Sequence, residues 1–208
     1  MRPIATLIGL VSALMVGVVG AQPAMAAPDW KIEPSDMTLG SRKAKITVIE
    51  YASASCPHCA RFNNEVFPAF KAKYVDTGKV RYALREFLTP PEEVASAGFL
   101  AARCGGPAHY FTILDQVFRH QAEIYQTQDL HGVLVRAAKA GGVGEAQLDA
   151  CIYDGKALGD LNDRVSTYID RDGIQSTPTF VVNGRLLPAG EQTLATLDQA
   201  IADAEKAR

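Results

Sequence analysis

Cys56 and Cys59 are the side chains in this 208-residue chain best spaced to do chemistry, three positions apart with Pro57 and His58 between them. Two thiols at that spacing can close into a disulfide and reopen, or can supply half of a zinc site. Zinc wants four ligands, and the sequence offers no second C-x-x-C and no H-x3-5-H to complete the set. Thiol–disulfide exchange is therefore the favoured chemistry and no metal is expected. The other two cysteines, Cys104 and Cys151, stand far from the pair and from each other.

Exchange needs one sulfur held as a thiolate, so the local structure around Cys56 matters. Lys45 to Ala52 reads Lys-Ile-Thr-Val-Ile-Glu-Tyr-Ala, the nearly continuous apolar and β-branched run of a buried strand. From Pro57 to Tyr74 the pattern turns helical, with Phe62, Val66 and Phe70 on one stripe; Pro68 is expected to kink or break that helix. After Asp76-Thr77-Gly78, Lys79 to Leu88 reads as an alternating second strand, which completes a βαβ unit with parallel strands. Cys56 thus falls where a strand becomes a helix. Unpaired N–H groups and the positive end of the dipole favour an anion there, which lowers a thiol pKa. Pro57 suits a helix start because its missing N–H is not needed, and His58 adds a cationic or N–H neighbour. Cys59, a turn inward, is the less exposed, resolving sulfur.

The rest of the chain divides by its periodicity. Thr89-Pro90-Pro91-Glu92 has the form of a capping box, with Thr89 as cap and Val94, Ala97, Ala101 and Cys104 as the apolar stripe that follows. Phe111, Leu114 and Phe118 mark a second helix, and Leu130, Leu134 and Ala138 a third. Leu148, Cys151 and Ile152 mark a fourth, and Leu158, Leu161, Val165 and Tyr168 a fifth. Residues 90–163 form an all-helical block. Strand chemistry returns at Thr179 to Val182, and Asn183-Gly184 before Arg185 to Leu187 signals a hairpin with a type I′ turn. Leu194, Leu197, Ile201 and Ala204 give a closing amphipathic helix. His109, His120 and His131 share no ligand spacing and read as surface residues, and Trp30 as packing near the start of the fold.

Residues 1–26 read differently: Arg2, an apolar run from Ile4 to Gly20, then Ala24-Met25-Ala26 in the A-x-A form. That reads as a signal peptide cleaved after Ala26, the alternative being a retained membrane anchor, and it implies an oxidising compartment where an even cysteine count suits disulfides. No other stretch could span a bilayer. The balance of 21 Lys and Arg against 23 Asp and Glu gives no electrostatic case for nucleic acid.

Val48-Ile49-Glu50-Tyr51 leading into Cys56-Pro57-His58-Cys59, with Ser176-Thr177-Pro178-Thr179-Phe180 near the end, resembles the DsbA-like disulfide oxidoreductases. The resemblance implies an α/β thioredoxin-like fold, with residues 27–89 and 164–208 as its two parts and residues 90–163 as a helical insertion. It implies that Pro178 is a cis-proline facing the dithiol and that the backbone of Thr177 pairs with an extended substrate. It also implies that Glu50 is a buried acid exchanging protons with Cys59; the residues alone equally allow a solvent-facing strand position. Cys104 and Cys151 are read as a structural disulfide between two helices of the insertion, the alternative being two buried free thiols. The implied function is periplasmic: oxidation of reduced exported proteins with no cofactor beyond the dithiol, and reoxidation by a DsbB-type membrane partner linked to quinone. Isomerase and reductase relatives share the fold and also use threonine before the proline. A non-enzymatic chaperone or copper-binding module is a further alternative, against which the lack of a Met- or His-rich tract counts.

Overall fold

The computed structural model describes residue 28 and residues 30–207; the expected signal peptide lies outside the described residues. Five strands form one mixed sheet in the order β1-β3-β2-β4-β5. They are β1 (Met37–Leu39), β2 (Ile46–Ala52), β3 (Val80–Glu86), β4 (Thr179–Val182) and β5 (Arg185–Leu186). β2 and β3 pair in parallel from Ile46 opposite Val80 to Ala52 opposite Glu86, and β4 lies antiparallel on the other side of β2. The hairpin turn places Asn183 at φ 47° and Gly184 at φ 79°, the left-handed region that the Asn-Gly pair tolerates.

The helix after β2 is continuous from Pro57 to Val75. It runs as α1 (Pro57–Arg61), a π-helical stretch (Phe62–Val66), α2 (Phe67–Phe70) and a second π-helical stretch (Lys71–Val75). Of the kink or break expected at Pro68, the break does not occur, and the helix is distorted there instead. The Phe67 N–H reaches back to the Phe62 carbonyl, so the helix widens just before Pro68 and skips a bond that proline could not make.

Between β3 and β4 come six helices: α3 (Glu92–Cys104), α4 (Gly106–Arg119), α5 (Gln121–Thr127), α6 (Leu130–Ala140), α7 (Glu145–Ile152) and α8 (Gly155–Asp170). The closing helix is α9 (Leu194–Lys206). One hydrophobic cluster runs from Val48, Ile49 and Phe180 of the sheet through Phe99, Ile113 and Leu134 to Leu148 of the helical block. Insertion and sheet are thus packed as one body. No helix among the described residues is long and apolar enough to cross a membrane.

Three further expectations are corrected. The capping box does not form: α3 starts at Glu92 after Pro91 with no side-chain cap, because Thr89 is committed to Ser55 instead. β3 does not alternate between core and solvent; helices cover its second face, and even Arg85 and Glu86 are buried. Arg85 can sit there because Asp36, Asp172, the Tyr51 hydroxyl and the Lys31 carbonyl take its guanidinium protons. Leu158, placed on the stripe of α8, is 37% exposed.

Candidate active site

β2 ends at Ala52, and three residues later Cys56 caps α1 with extended backbone, φ −81° and ψ 118°. Both cysteines of the pair are free thiols. The Cys56 sulfur accepts the Cys59 backbone N–H at 3.4 Å. Its pKa is lowered from 9.0 to about 5, first by the hydrogen bond from the Cys59 thiol. Burial opposes this, and the Thr177 hydroxyl and the backbone N–H groups of Cys59 and His58 then add to the lowering. The sulfur is therefore an anion near neutrality, which makes it both nucleophile and good leaving group.

Cys59 is pushed the other way. It has no solvent exposure, and burial together with the neighbouring Cys56 charge holds its pKa well above 9.0. Glu50, on β2, is 2% exposed and accepts a 2.5 Å hydrogen bond from the Tyr82 hydroxyl. Burial drives its carboxyl from 4.5 up to about 8; the Tyr82 bond opposes the rise and the Cys56 charge adds to it. Glu50 also lines a cleft of about 380 Å3, together with Phe62, Phe67, Tyr82 and Phe111 and with Asn63 and Asp115.

The Thr177–Pro178 peptide bond is cis, and the Cys56 thiol lies 3.5 Å from the Thr177 carbonyl oxygen. The Thr177 hydroxyl is buried and, among the described residues, has no partner other than the neighbouring sulfur. His58 contributes to the thiolate through its backbone N–H. Its imidazole Nδ1 lies 2.5 Å from Glu191, a carboxylate that Arg61 also approaches at 3.4 Å.

A strand–Cys-x-x-Cys–helix junction closed by a cis-proline loop can be set beside known proteins. The thioredoxin family model matches residues 33–203. The solved structure of α-DsbA1 from Wolbachia pipientis is 30% identical and superposes with a TM-score of 0.76, covering 85% of this chain and 94% of its own. The chain belongs to the DsbA-like thioredoxin family. BdbD from Bacillus subtilis, 22% identical with a TM-score of 0.72 over 82% of this chain and 93% of its own, shares the fold. A Rickettsia conorii protein provisionally named a protein-disulfide oxidoreductase is 30% identical over 83% of this chain and 61% of its own length. The chain thus spans about three fifths of the Rickettsia relatives it matches.

In this DsbA-like chain the helical insertion also builds part of the site, a contribution with no local signature in the residues concerned. Gln121 and Tyr125 reach from α5 to the carbonyls of the Cys56 turn. Ser53, Ser55 and Thr89 form a hydrogen-bonded cluster on the chain just before Cys56. Gly98 of α3 lets that helix close on the same turn, since a Cβ there would lie 2.8 Å from the Ala54 Cβ. Cys104 and Cys151 are joined in a disulfide between α3 and α7, apart from the free pair. His120 pairs with Glu123 and His131 with Asp149, all on the surface of the insertion. Among the described residues, His131, Glu145 and Asp149 are the group whose donor atoms come close enough to hold a cation; two of the three are exposed.

Proposed function

We propose that this chain is an exported thiol:disulfide oxidoreductase that introduces disulfides into secreted or periplasmic proteins through Cys56 and Cys59. The observation that carries the reading is the opposed ionisation of two sulfurs in one helical turn, about 5 for Cys56 and well above 9.0 for Cys59. With the pair oxidised, a client thiolate attacks the Cys56 sulfur. The Cys56–Cys59 bond breaks and Cys59 leaves, taking up a proton. A second client thiolate then attacks the client sulfur of the mixed disulfide, and Cys56 departs as a stabilised thiolate. Two electrons pass to the protein; of the two client thiol protons, one is balanced on Cys59 and the other goes to solvent.

Thr177, next to the cis-proline, offers the extended client a backbone edge, and Glu50 exchanges the proton of Cys59. Reoxidation falls to a DsbB-type membrane partner linked to quinone, in the compartment that the cleaved signal peptide implies. The test is titration of the reduced mature protein by thiolate absorbance, with its potential measured against glutathione. An acidic Cys56 and a potential above about −180 mV are expected for an oxidase. A Cys56 that ionises near the free value of about 8.5, or a Cys56→Ser variant that still exchanges disulfides, overturns the proposal. A reducing potential with efficient repair of scrambled disulfides would move the chain to the isomerases.

A further inference from the structure

At the thiolate and the two residues before it, three consecutive carbonyls accept hydrogen bonds from one helix of the insertion. Gln121 donates from Nε2 to the Ala54 oxygen at 2.8 Å and to the Cys56 oxygen at 3.2 Å. Tyr125 donates its hydroxyl to the intervening Ser55 oxygen at 2.6 Å. The two donors stand four apart, on one face of α5. Gln121 is 3% exposed, and so much burial of a primary amide demands that its donors be used.

We infer that Gln121 and Tyr125 are positioning residues through which the helical insertion holds the Cys56 turn in its reactive geometry. The inference rests on the reading of Cys56 as the exchanging sulfur. Two physical effects support it. First, the carbonyl oxygens of residues 54–56 carry partial negative charge next to a sulfur that must itself be an anion. Donors bound to each of them drain that charge and fix it on the side facing α5. Second, the Cys56 sulfur reaches the first-turn N–H groups only while the backbone keeps φ −81° and ψ 118°. The peptides on both sides of Cys56 are anchored by these bonds: the Cys56 oxygen already accepts the Ala60 N–H, and Gln121 supplies its second donor. The clamp is rigid because α5 leads directly from α4, which packs on the same core as the sheet.

A purely structural role would also explain satisfied carbonyls, so stability alone cannot decide. The experiment compares Gln121→Met, which keeps the shape and loses the donors, and Tyr125→Phe, which loses one hydroxyl. Leu134→Ala serves as a core control on the insertion. Each protein is measured for Tm, for the Cys56 ionisation midpoint and for the equilibrium constant with glutathione. Gln121→Met is expected to raise the ionisation midpoint and weaken the oxidising equilibrium constant by about tenfold, equivalent to about 30 mV. Tyr125→Phe should move both in the same direction by about threefold, the share of one neutral hydrogen bond. Leu134→Ala should lower Tm and move neither. If both donor variants lower Tm yet keep the wild-type midpoint and equilibrium constant, the inference is overturned. Should Gln121→Met fail to fold, Tyr125→Phe decides by the same criterion. A wild-type Cys56 that ionises like free cysteine overturns this inference and the reading beneath it; an acidic wild type with unmoved variants overturns this inference alone.

Discussion

Glu50→Gln should make the reduced protein markedly more stable at neutral pH while slowing its chemistry. In the folded chain the Glu50 carboxyl keeps its proton up to about 8, against 4.5 when unfolded. The sign follows from linkage: a raised folded pKa gives stability that is fully present below the unfolded value and lost as pH rises toward the folded value. Each pH unit between them removes about 1.4 kcal/mol. At pH 7 the gap of about 2.5 units gives a deficit of about 3 kcal/mol, rising to about 5 above pH 8. Glutamine cannot ionise, fills the same volume and still accepts from the Tyr82 hydroxyl, so the deficit should vanish. The assay is urea denaturation of wild type and Glu50→Gln from pH 4 to 9. The curves should coincide at pH 4 and separate to about 3 kcal/mol at pH 7, or about 6–12 °C in Tm for a chain of this size. Part of the rise comes from the Cys56 charge, so the separation should shrink in the oxidised protein. A constant offset across the whole pH range refutes the reasoning, because it would mean that Glu50 ionises alike in both states.

Two further outcomes follow from other parts of the structure. Replacing Cys104 and Cys151 by alanine opens a link of sequence separation 47 and should cost about 4 kcal/mol in urea denaturation by the loop-entropy relation; a loss below about 1 kcal/mol contradicts it. Arg85→Met strands Asp36 as a buried charge, while Asp172 keeps Arg171 and the Tyr51 hydroxyl, and should cost about 3–5 kcal/mol, most of it regained when Asp36 also becomes asparagine; no regain in the double variant refutes the charge argument.

What the sequence revealed follows the range of each signal. β2, the β4–β5 hairpin and the helix after Cys56 are written in local periodicity and in one Asn-Gly turn, and the structure has all three. β1 is three residues long, too short for alternation to register, and α5 reads Gln-Ala-Glu-Ile-Tyr-Gln-Thr with little apolar stripe. Arg85 and Glu86 fall in a segment read as an alternating strand, yet both are buried. Their partners Asp36, Asp172, Arg103 and Arg164 lie 17 to 87 positions away, so nothing local announces them. Thr89 met the local rule for a cap and was drawn to Ser55 by tertiary contact. Gln121 is the clearest case: a glutamine in a polar segment, 65 positions from the carbonyl of Cys56.

The order of proton movements in the proposed cycle can be argued from these couplings. In the reduced protein one negative charge sits on Cys56, and that charge raises both Glu50 and Cys59. Neither buried group can then release a proton cheaply, so the reduced pair stays a thiolate beside a thiol. When Cys56 enters a mixed disulfide its charge disappears, and what still opposes ionisation of its two neighbours is burial and, for Cys59, the charge on Glu50. Loss of that charge lets Glu50 shed its own proton first and then accept the Cys59 proton while the client is attached, when Cys59 must act as a thiolate if the mixed disulfide is to revert. Glu50 borders a cleft through which water can approach, so the proton need not pass Cys56 to leave.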